Sequence, residues 1–177
     1  KNIIKILAAH QVPYAATLSI AHPEDFQRKI KKALQIEGFK FFLMHSPCPT
    51  GWKTEPSETI ELVSLAVRSG IFPLYEVFDG VNYRINAEPD GTDPAEYFMK
   101  QRRFRGPEMD IDSVKEFVSE RMTRLKRLAP ADQSLDTRIG ALRLQIGAAP
   151  FDPHRESTTS RHPSGYPATV AQARRIE

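Results

Sequence analysis

Residues 39–44 read FKFFLM, an almost continuous apolar run that begins directly after Gly38. Such a run, bounded by turn signals, predicts a β-strand that is buried on both faces. Before it, residues 23–34 carry apolar side chains at helical spacing, and residues 14–20 (YAATLSI) have the composition of a short strand. A strand, a helix and a buried strand in this order are typical of a parallel α/β sheet. The sequence therefore predicts an α/β fold.

The predicted helices around this unit have distinct apolar and polar faces. Residues 1–9 fit the end of a helix whose apolar face carries Ile3, Ile6 and Leu7. In the helix over residues 23–34, an early proline and two acids mark the start. Its polar face, which we expect to meet water, carries Lys29, Lys31 and Lys32.

Two further elements follow this unit. Residues 56–70 have helical spacing of apolar residues and end on a glycine, which favours a helix stop. Asp79-Gly80 then separates residues 73–77 from residues 81–85, and this arrangement is a strong signal for a β-hairpin. The expected sheet thus gains two strands joined by a tight turn.

The C-terminal part of the sequence changes in character. A longer amphipathic helix is expected from Asp110 to near Pro130. Residues 131–177 offer little apolar surface to offset the entropy of ordering, so we expect them to be disordered or to wrap on a partner. We therefore divide the chain into an α/β part at residues 1–105, a helical extension at 106–130 and a poorly ordered tail.

The composition excludes several classes of protein. The chain has 177 residues, a formal net charge of +3 and a single cysteine. No apolar run approaches the roughly 20 residues that a membrane-spanning helix needs. The broad basic stripe with exposed aromatic residues that nucleic-acid binding requires is missing. One cysteine excludes an internal disulfide and a metal site built from cysteines of this chain alone.

Cys48 follows the predicted strand and lies between Pro47 and Pro49, which make the loop rigid. Ligands of open α/β sheets bind at the carboxyl edge of the strands, so this loop is a candidate site that Trp52 would shield from water. A lone cysteine is nevertheless more often a small buried apolar residue than a ligand or a nucleophile. A cysteine-protease site with His45 is disfavoured, because the two side chains do not naturally face one another and no orienting Asn or Asp is evident.

Four segments of the chain, taken in order, match the motifs of one enzyme family. Residues 11–25 (QVPYAATLSIAHPED) are similar to its GIPYVATASIAYPED stretch, and residues 46–52 (SPCPTGW) contain its PCPTGW segment. Residues 70–77 (GIFPLYEV) are similar to its G-x-WPLYEV, and residues 101–105 (QRRFR) to its QGRFRHL. Over about residues 1–105, the chain thus resembles the β subunit of pyruvate:ferredoxin oxidoreductase (pyruvate synthase), of the 2-oxoacid:acceptor oxidoreductase family.

The resemblance implies a specific activity and a specific set of cofactors. The family's enzymes use thiamine diphosphate and Mg2+ to decarboxylate a 2-oxoacid oxidatively to an acyl-CoA, and pass electrons through iron–sulfur clusters to ferredoxin. Pyruvate is the 2-oxoacid that the PCPTGW segment fits best, but related subunits serve branched-chain or aromatic 2-oxoacids, so the substrate stays open. The family's β subunit also ligates a four-iron–four-sulfur cluster, with three cysteines in its N-terminal half and a fourth in PCPTGW. The resemblance therefore reverses the first interpretation of Cys48 and makes it the expected metal ligand, one of four.

The resemblance extends to partners and location. It implies sister subunits of the α, γ and δ types, ferredoxin as electron acceptor, and the 2-oxoacid and CoA as ligands. It also implies a cytoplasmic location, with no membrane span and no nucleic acid.

The sequence departs from the family at the cofactor motif. The Gly-Asp-Gly with a downstream Asn that binds diphosphate and Mg2+ is absent, because Asp79-Gly80 follows Phe78 and Asp90-Gly91 follows Pro89. We therefore assign no catalytic residue and no thiamine-diphosphate ligand, and expect no activity of the chain alone. The helical pattern that starts directly at Lys1 fits a processed start or, as the resemblance favours, the C-terminal part of a longer subunit.

Two interpretations of the whole chain follow. The first is the C-terminal half of a thiamine-diphosphate-binding parallel-sheet domain, followed by a helix and a poorly ordered tail. The alternative is a truncated, catalytically inert fragment, or a subunit-interaction module, that keeps the fold.

Several other polar residues are weaker candidates. Thr17 and Ser19 on the first strand could line a cofactor pocket, although small strand residues more often permit close helix packing. His10 is expected at a helix end rather than in catalysis. The basic residues near the fourth motif could bind CoA phosphates, ferredoxin or a sister subunit, but a solvated face or one that forms salt bridges between subunits is the favoured interpretation; they are Lys100, Arg102, Arg103 and Arg105.

Overall fold

The computed structural model describes residues 2–104 and 109–129. Within these ranges the elements are α1 (Ile3–Ala9), β1 (Tyr14–Ser19), α2 (Pro23–Leu34), β2 (Lys40–His45), α3 (Pro49–Trp52), α4 (Thr59–Arg68), β3 (Leu74–Phe78), β4 (Asn82–Ala87), α5 (Pro94–Met99) and α6 (Ile111–Leu128). Single 3-10 turns lie at Pro56–Glu58 and Arg102–Phe104. The tail predicted at 131–177 lies outside the described residues, as does Arg105.

The four strands form one mixed sheet in the order β2-β1-β3-β4. β1 and β2 are parallel and are joined through α2, which confirms the predicted strand–helix–strand unit and the α/β class. β3 runs antiparallel to both β1 and β4, so the expectation of a parallel sheet is met only by the β1–β2 pair. The chain enters β3 beside the carboxyl end of β1, where the Thr17 hydroxyl donates to the Pro73 carbonyl at 2.8 Å. β3 must therefore run back along β1.

β2 is an edge strand of the described sheet, and the prediction that both of its faces are buried is wrong. Its residues are half-buried, Met44 is 47% exposed, and Phe39 just before it is 57% exposed. Among the described residues β2 pairs with β1 alone, so one edge of this apolar strand has no partner.

Helices α1 and α6 cover one face of the sheet. The buried residues of α1 are Ile4 and Ala8, whereas Ile3 and Ile6 of the predicted face are 38% and 47% exposed. Positions four apart lie on one side of a helix, and in α1 this side meets the strands. The core on this face joins α1 and α6 to the strands; its buried members are Ile4, Ala8, Val12, Ala15, Tyr75, Val77, Tyr83, Met122 and Leu125.

Helix α2 covers the other face, and it corrects the expectation for two of its three lysines: the Lys32 side chain is only 19% exposed and lies 2.9 Å from the buried Glu76 carboxylate. Lys29 was expected to meet water but has 0% exposed surface. Its Nζ donates to the Thr17 carbonyl at 2.8 Å and lies 2.7 Å from the Asp25 carboxylate. Burial lowers the pKa of Lys29, and Asp25 opposes that shift. A buried ammonium is tolerated here because both partners replace water.

The hairpin is confirmed. Asp79 and Gly80 both have positive φ, 51° and 74°, as a type I′ turn requires. Helix α6 is also confirmed, with Asp110 as its N-cap accepting the Ser113 N–H at 3.0 Å. In the part of the chain that the structure describes, no helix has the length and apolar character to cross a membrane.

Candidate functional site

The Cys48 turn, residues 48–52, lies just past the carboxyl end of β2. Cys48 is the N-cap of α3, and its Sγ accepts the Gly51 N–H at 3.4 Å. A Cβ on residue 51 would lie 3.3 Å from that sulfur, so glycine permits this close approach. The thiol is exposed, and the alternative of Cys48 as a small buried apolar residue is therefore wrong.

His45 closes one side of this turn within a group of aromatic rings. Its ring centroid lies 5.0 Å from that of Phe72, 5.7 Å from Trp52 and 5.9 Å from Tyr97. The Tyr97 hydroxyl lies 3.3 Å from Nε2 of His45, so this nitrogen faces a tyrosine. Burial lowers the pKa of His45, and the ring is therefore neutral at physiological pH. A neutral ring inside an aromatic group fits a packing role.

Arg103 closes the other side of the turn, in what we call the Arg103 stack (Trp52, Arg103 and Phe104). The guanidinium carbon lies 4.2 Å from the Trp52 ring centroid and 4.5 Å from that of Phe104. Nε and a terminal nitrogen of Arg103 donate to Oε1 of Gln101 at 3.1 and 2.8 Å. Gln101 is fully buried and donates to the Tyr97 carbonyl at 2.9 Å. The stack was not predicted; its only sequence signal is arginine beside aromatic residues.

The neighbouring basic residues form salt bridges within the chain. Arg102 lies 3.3 Å from Glu55, and Lys100 lies 3.3 Å from Glu58. All four side chains are substantially exposed, so each pair contributes little to stability. For these two residues the structure shows exposed salt bridges within the chain, whereas the expected face was solvated or formed salt bridges between subunits.

The two candidate pocket residues of β1 are buried and bond to backbone, Thr17 across to the β3 segment and Ser19 locally; Thr17 also lines a cavity with Leu43 and Tyr75. Thr17 is 2% exposed; its hydroxyl accepts the Tyr75 N–H at 2.9 Å in addition to its bond to Pro73. Ser19 has no exposed surface and accepts the Ala21 N–H at 3.3 Å. His10 is the exposed C-cap of α1, as a helix-end residue should be.

The Cys48 turn can be tested against the iron–sulfur cluster that the resemblance implies. Thiolates are the usual cluster ligands, and hydrogen bonds to the sulfur tune the cluster potential. Cys48 offers an exposed sulfur as a ligand, and the Gly51 N–H supplies a hydrogen bond to that sulfur. Among residues 2–104 and 109–129, no group of three or more His, Cys, Asp or Glu residues is placed to hold a metal ion. The turn therefore fits such a cluster as the source of a single thiolate ligand.

The curated relatives of the chain are subunits of pyruvate synthase and of ketoisovalerate oxidoreductase. No protein-family model matches the chain. It is 46% identical over 123 residues to pyruvate synthase subunit PorB of Methanocaldococcus jannaschii, which covers 68% of this chain and 41% of that protein. It is 45% identical over 133 residues to ketoisovalerate oxidoreductase subunit VorB of Pyrococcus furiosus, covering 73% and 42%. Over 135 residues it is 42% identical to PorB of Thermotoga maritima, covering 72% and 41%.

These alignments cover most of this chain but only part of each relative. Each is longer than residues 1–105, the part that carries the four motifs. The chain nevertheless spans less than half of the length of these relatives.

Proposed function

Because the chain belongs to the family of 2-oxoacid:ferredoxin oxidoreductase β subunits that these relatives represent, we propose that it forms part of such an enzyme. The reaction is the oxidative decarboxylation of a 2-oxoacid to an acyl-CoA. Pyruvate is the first candidate, because the PCPTGW motif resembles the pyruvate enzyme. A branched-chain 2-oxoacid is the second, since the ketoisovalerate relative is almost equally similar, at 45% against 46% identity.

The observation that carries the proposal is the exposed thiol of the SPCPTGW turn at the carboxyl edge of the sheet. We propose Cys48 as one ligand of a four-iron–four-sulfur cluster. When bound, the cluster would accept electrons and pass them on toward ferredoxin. The chain's own contribution is positional: the Gly51 N–H holds the sulfur, while the His45 and Trp52 rings pack together beside the turn.

The remaining cofactors and partners belong to the whole enzyme. The sequence has no Gly-Asp-Gly segment, so we assign no residue to thiamine diphosphate or Mg2+ and derive no step through them. We propose that the mixed sheet is the C-terminal half of the thiamine-diphosphate-binding domain. Sister subunits of the α, γ and δ types, ferredoxin and CoA would complete the enzyme.

The test uses the assembled complex, purified without oxygen. Cys48→Ser should remove one cluster per chain, with the matching loss of iron and of one reduced-cluster signal in electron paramagnetic resonance (EPR). Ser46→Ala, in the same loop, is the matched control and should keep both. Unchanged iron content and an unchanged spectrum in Cys48→Ser would refute the ligand assignment. A wild-type complex that reduces no ferredoxin with any 2-oxoacid would instead support the catalytically inert alternative.

A further inference from the structure

Pro47 and Pro49 restrict the local backbone of the Cys48 turn, but the turn is too short to keep its position in the fold by itself. Its helix α3 has four residues, and isolated helices of that length do not persist in water. Its internal bonds are few: the Trp52 N–H donates to the Cys48 carbonyl at 2.8 Å, and the Thr54 N–H to the Pro49 carbonyl at 3.0 Å. The Gly51 N–H also donates to the sulfur within the turn, so tertiary contacts are needed to hold the turn as a unit against the rest of the chain.

Those contacts meet on Trp52, the last residue of the turn. His45 lies against its ring at 5.7 Å, and the Arg103 guanidinium lies over the ring at 4.2 Å. Two hydrogen bonds to Gln101, which is fully buried, keep that guanidinium in place. A chain of direct contacts thus leads from the buried Gln101 through Arg103 and Trp52 to Cys48.

We propose that Arg103 is a positioning residue for Cys48, an inference that rests on the proposed cluster ligation. It acts through Trp52, because the planar guanidinium holds the indole and the indole ends the turn that bears the sulfur. Its fixed positive charge also favours the reduced cluster, which carries one more negative charge than the oxidised one. Lysine cannot replace it fully, since an ammonium does not stack and cannot make the paired bonds to Gln101.

The experiment compares variants of the assembled complex by redox titration and by EPR of the reduced cluster. Arg103→Gln should lower the midpoint potential and change the EPR line shape. Arg103→Lys keeps the charge, so its potential should stay closer to that of the wild type while its line shape still changes. Arg102→Gln is the matched control, because it removes the same charge from the same 3-10 turn but only breaks a surface pair with Glu55; its effects should be smaller.

Each outcome either supports or refutes the role of Arg103 as a positioning residue. Loss of the cluster in Arg103→Gln but not in Arg102→Gln also supports the inference, on one condition. Trp52→Phe, which keeps an aromatic ring in the stack, must retain the cluster. If Arg103→Gln and Arg102→Gln have the same potential and line shape while Cys48→Ser loses the cluster, the role of Arg103 is wrong and the ligand assignment stands. If Cys48→Ser keeps the wild-type cluster, the ligand assignment fails and the role of Arg103 fails with it.

Discussion

Glu76 is a buried charged residue whose carboxylate accepts hydrogen bonds from three side chains. It lies in the middle of β3 with no exposed surface. Its carboxylate accepts the Tyr14 hydroxyl at 2.7 Å, the Asn86 amide at 2.7 Å and the Lys32 ammonium at 2.9 Å. Burial alone would raise the pKa of Glu76, but these three donors outweigh it and hold the pKa below its ordinary value. Burial, together with Glu76, raises the pKa of Tyr14, which stays a neutral donor.

Replacing this carboxylate should destabilise the chain in a pH-dependent way. Glu76→Gln places an amide donor against Asn86 and leaves Lys32 without its counter-charge, at an expected cost of about 2 kcal/mol at neutral pH. A depressed folded pKa stabilises the protein above the ordinary pKa of glutamate, and this contribution is lost as the pH falls through the lower folded value. Urea unfolding at neutral and acidic pH should therefore show the difference between wild type and variant shrinking in acid.

The control for this comparison is an exposed carboxylate. Glu88 pairs with Lys126 at 2.8 Å at the surface, so Glu88→Gln should change the free energy of unfolding by less than about 1 kcal/mol. Equal effects of the two substitutions at neutral pH would show that the buried network does not stabilise the chain.

The exposure of Cys48 leads to a simple prediction on the chain without a cluster. Because the chain has one cysteine, a thiol reagent reports on Cys48 alone. An exposed thiol should react with one equivalent of reagent under native conditions, at a rate close to that in concentrated urea. A reaction that requires the denaturant would contradict the exposed turn.

At the scale of elements, the turn between β3 and β4 also fixes the position of α1. A Cβ on Gly80 would overlap the carbonyl oxygen of Ala8, at the end of α1. Gly80→Ala should therefore cost about 3 kcal/mol or more, because backbone of α1 must move as well as the turn. Thermal or urea unfolding measures this loss.

Gly91 supplies the matched control for the turn. It also has a positive φ, 91°, but a Cβ there would meet nothing within 4 Å. Gly91→Ala should therefore cost only the strain of an alanine at positive φ, about 1 kcal/mol of unfolding free energy. If the two alanine variants are equally stable, the contact between the turn and α1 is not what requires glycine.

The elements that sequence could predict are those specified by local pattern. FKFFLM and the helical spacing before it give the β1–α2–β2 unit, and Asp79-Gly80 gives the hairpin, because positive φ at both positions is a local demand. The direction of β3 was not predictable, since it depends on where the chain between β2 and β3 lies. Lys29 was misjudged because its partners, Asp25 and the Thr17 carbonyl, are brought to it only by the packed fold.

The candidate site also combines a part that local sequence specifies with parts that depend on the packed fold. The motif around Cys48 is contiguous in sequence and could be recognised there. The Arg103 stack joins residues 52 and 103, and the Glu76 network joins four elements (β1, α2, β3 and β4), so both depend on tertiary packing. A glutamate within the apolar run LYEVF was the one local sign of the network.

At the scale of the whole molecule, α6 and the sheet share one core. Met122 and Leu125 are buried in the same cluster as Tyr75 and Val77 of β3. The apolar stripe of α6 predicted a helix that buries one face, but a stripe does not identify the surface that it meets. In the structure that surface is the chain's own sheet.

This shared core leads to a test with two residues of one helix. Met122 is 7% exposed, whereas Phe117 is 56% exposed, with a contact of 5.4 Å to the Arg121 guanidinium. Met122→Ala should cost about 2–4 kcal/mol through the cavity that it leaves, and Phe117→Ala less than about 1 kcal/mol. Because α6 and the sheet bury a common surface, the stability lost in Met122→Ala should shift one unfolding transition of the whole chain. Circular dichroism and Trp52 fluorescence should report the same shifted midpoint. Two separate transitions, with only the helical signal shifted by Met122→Ala, would mean that α6 is an independent extension and not a part of the α/β core.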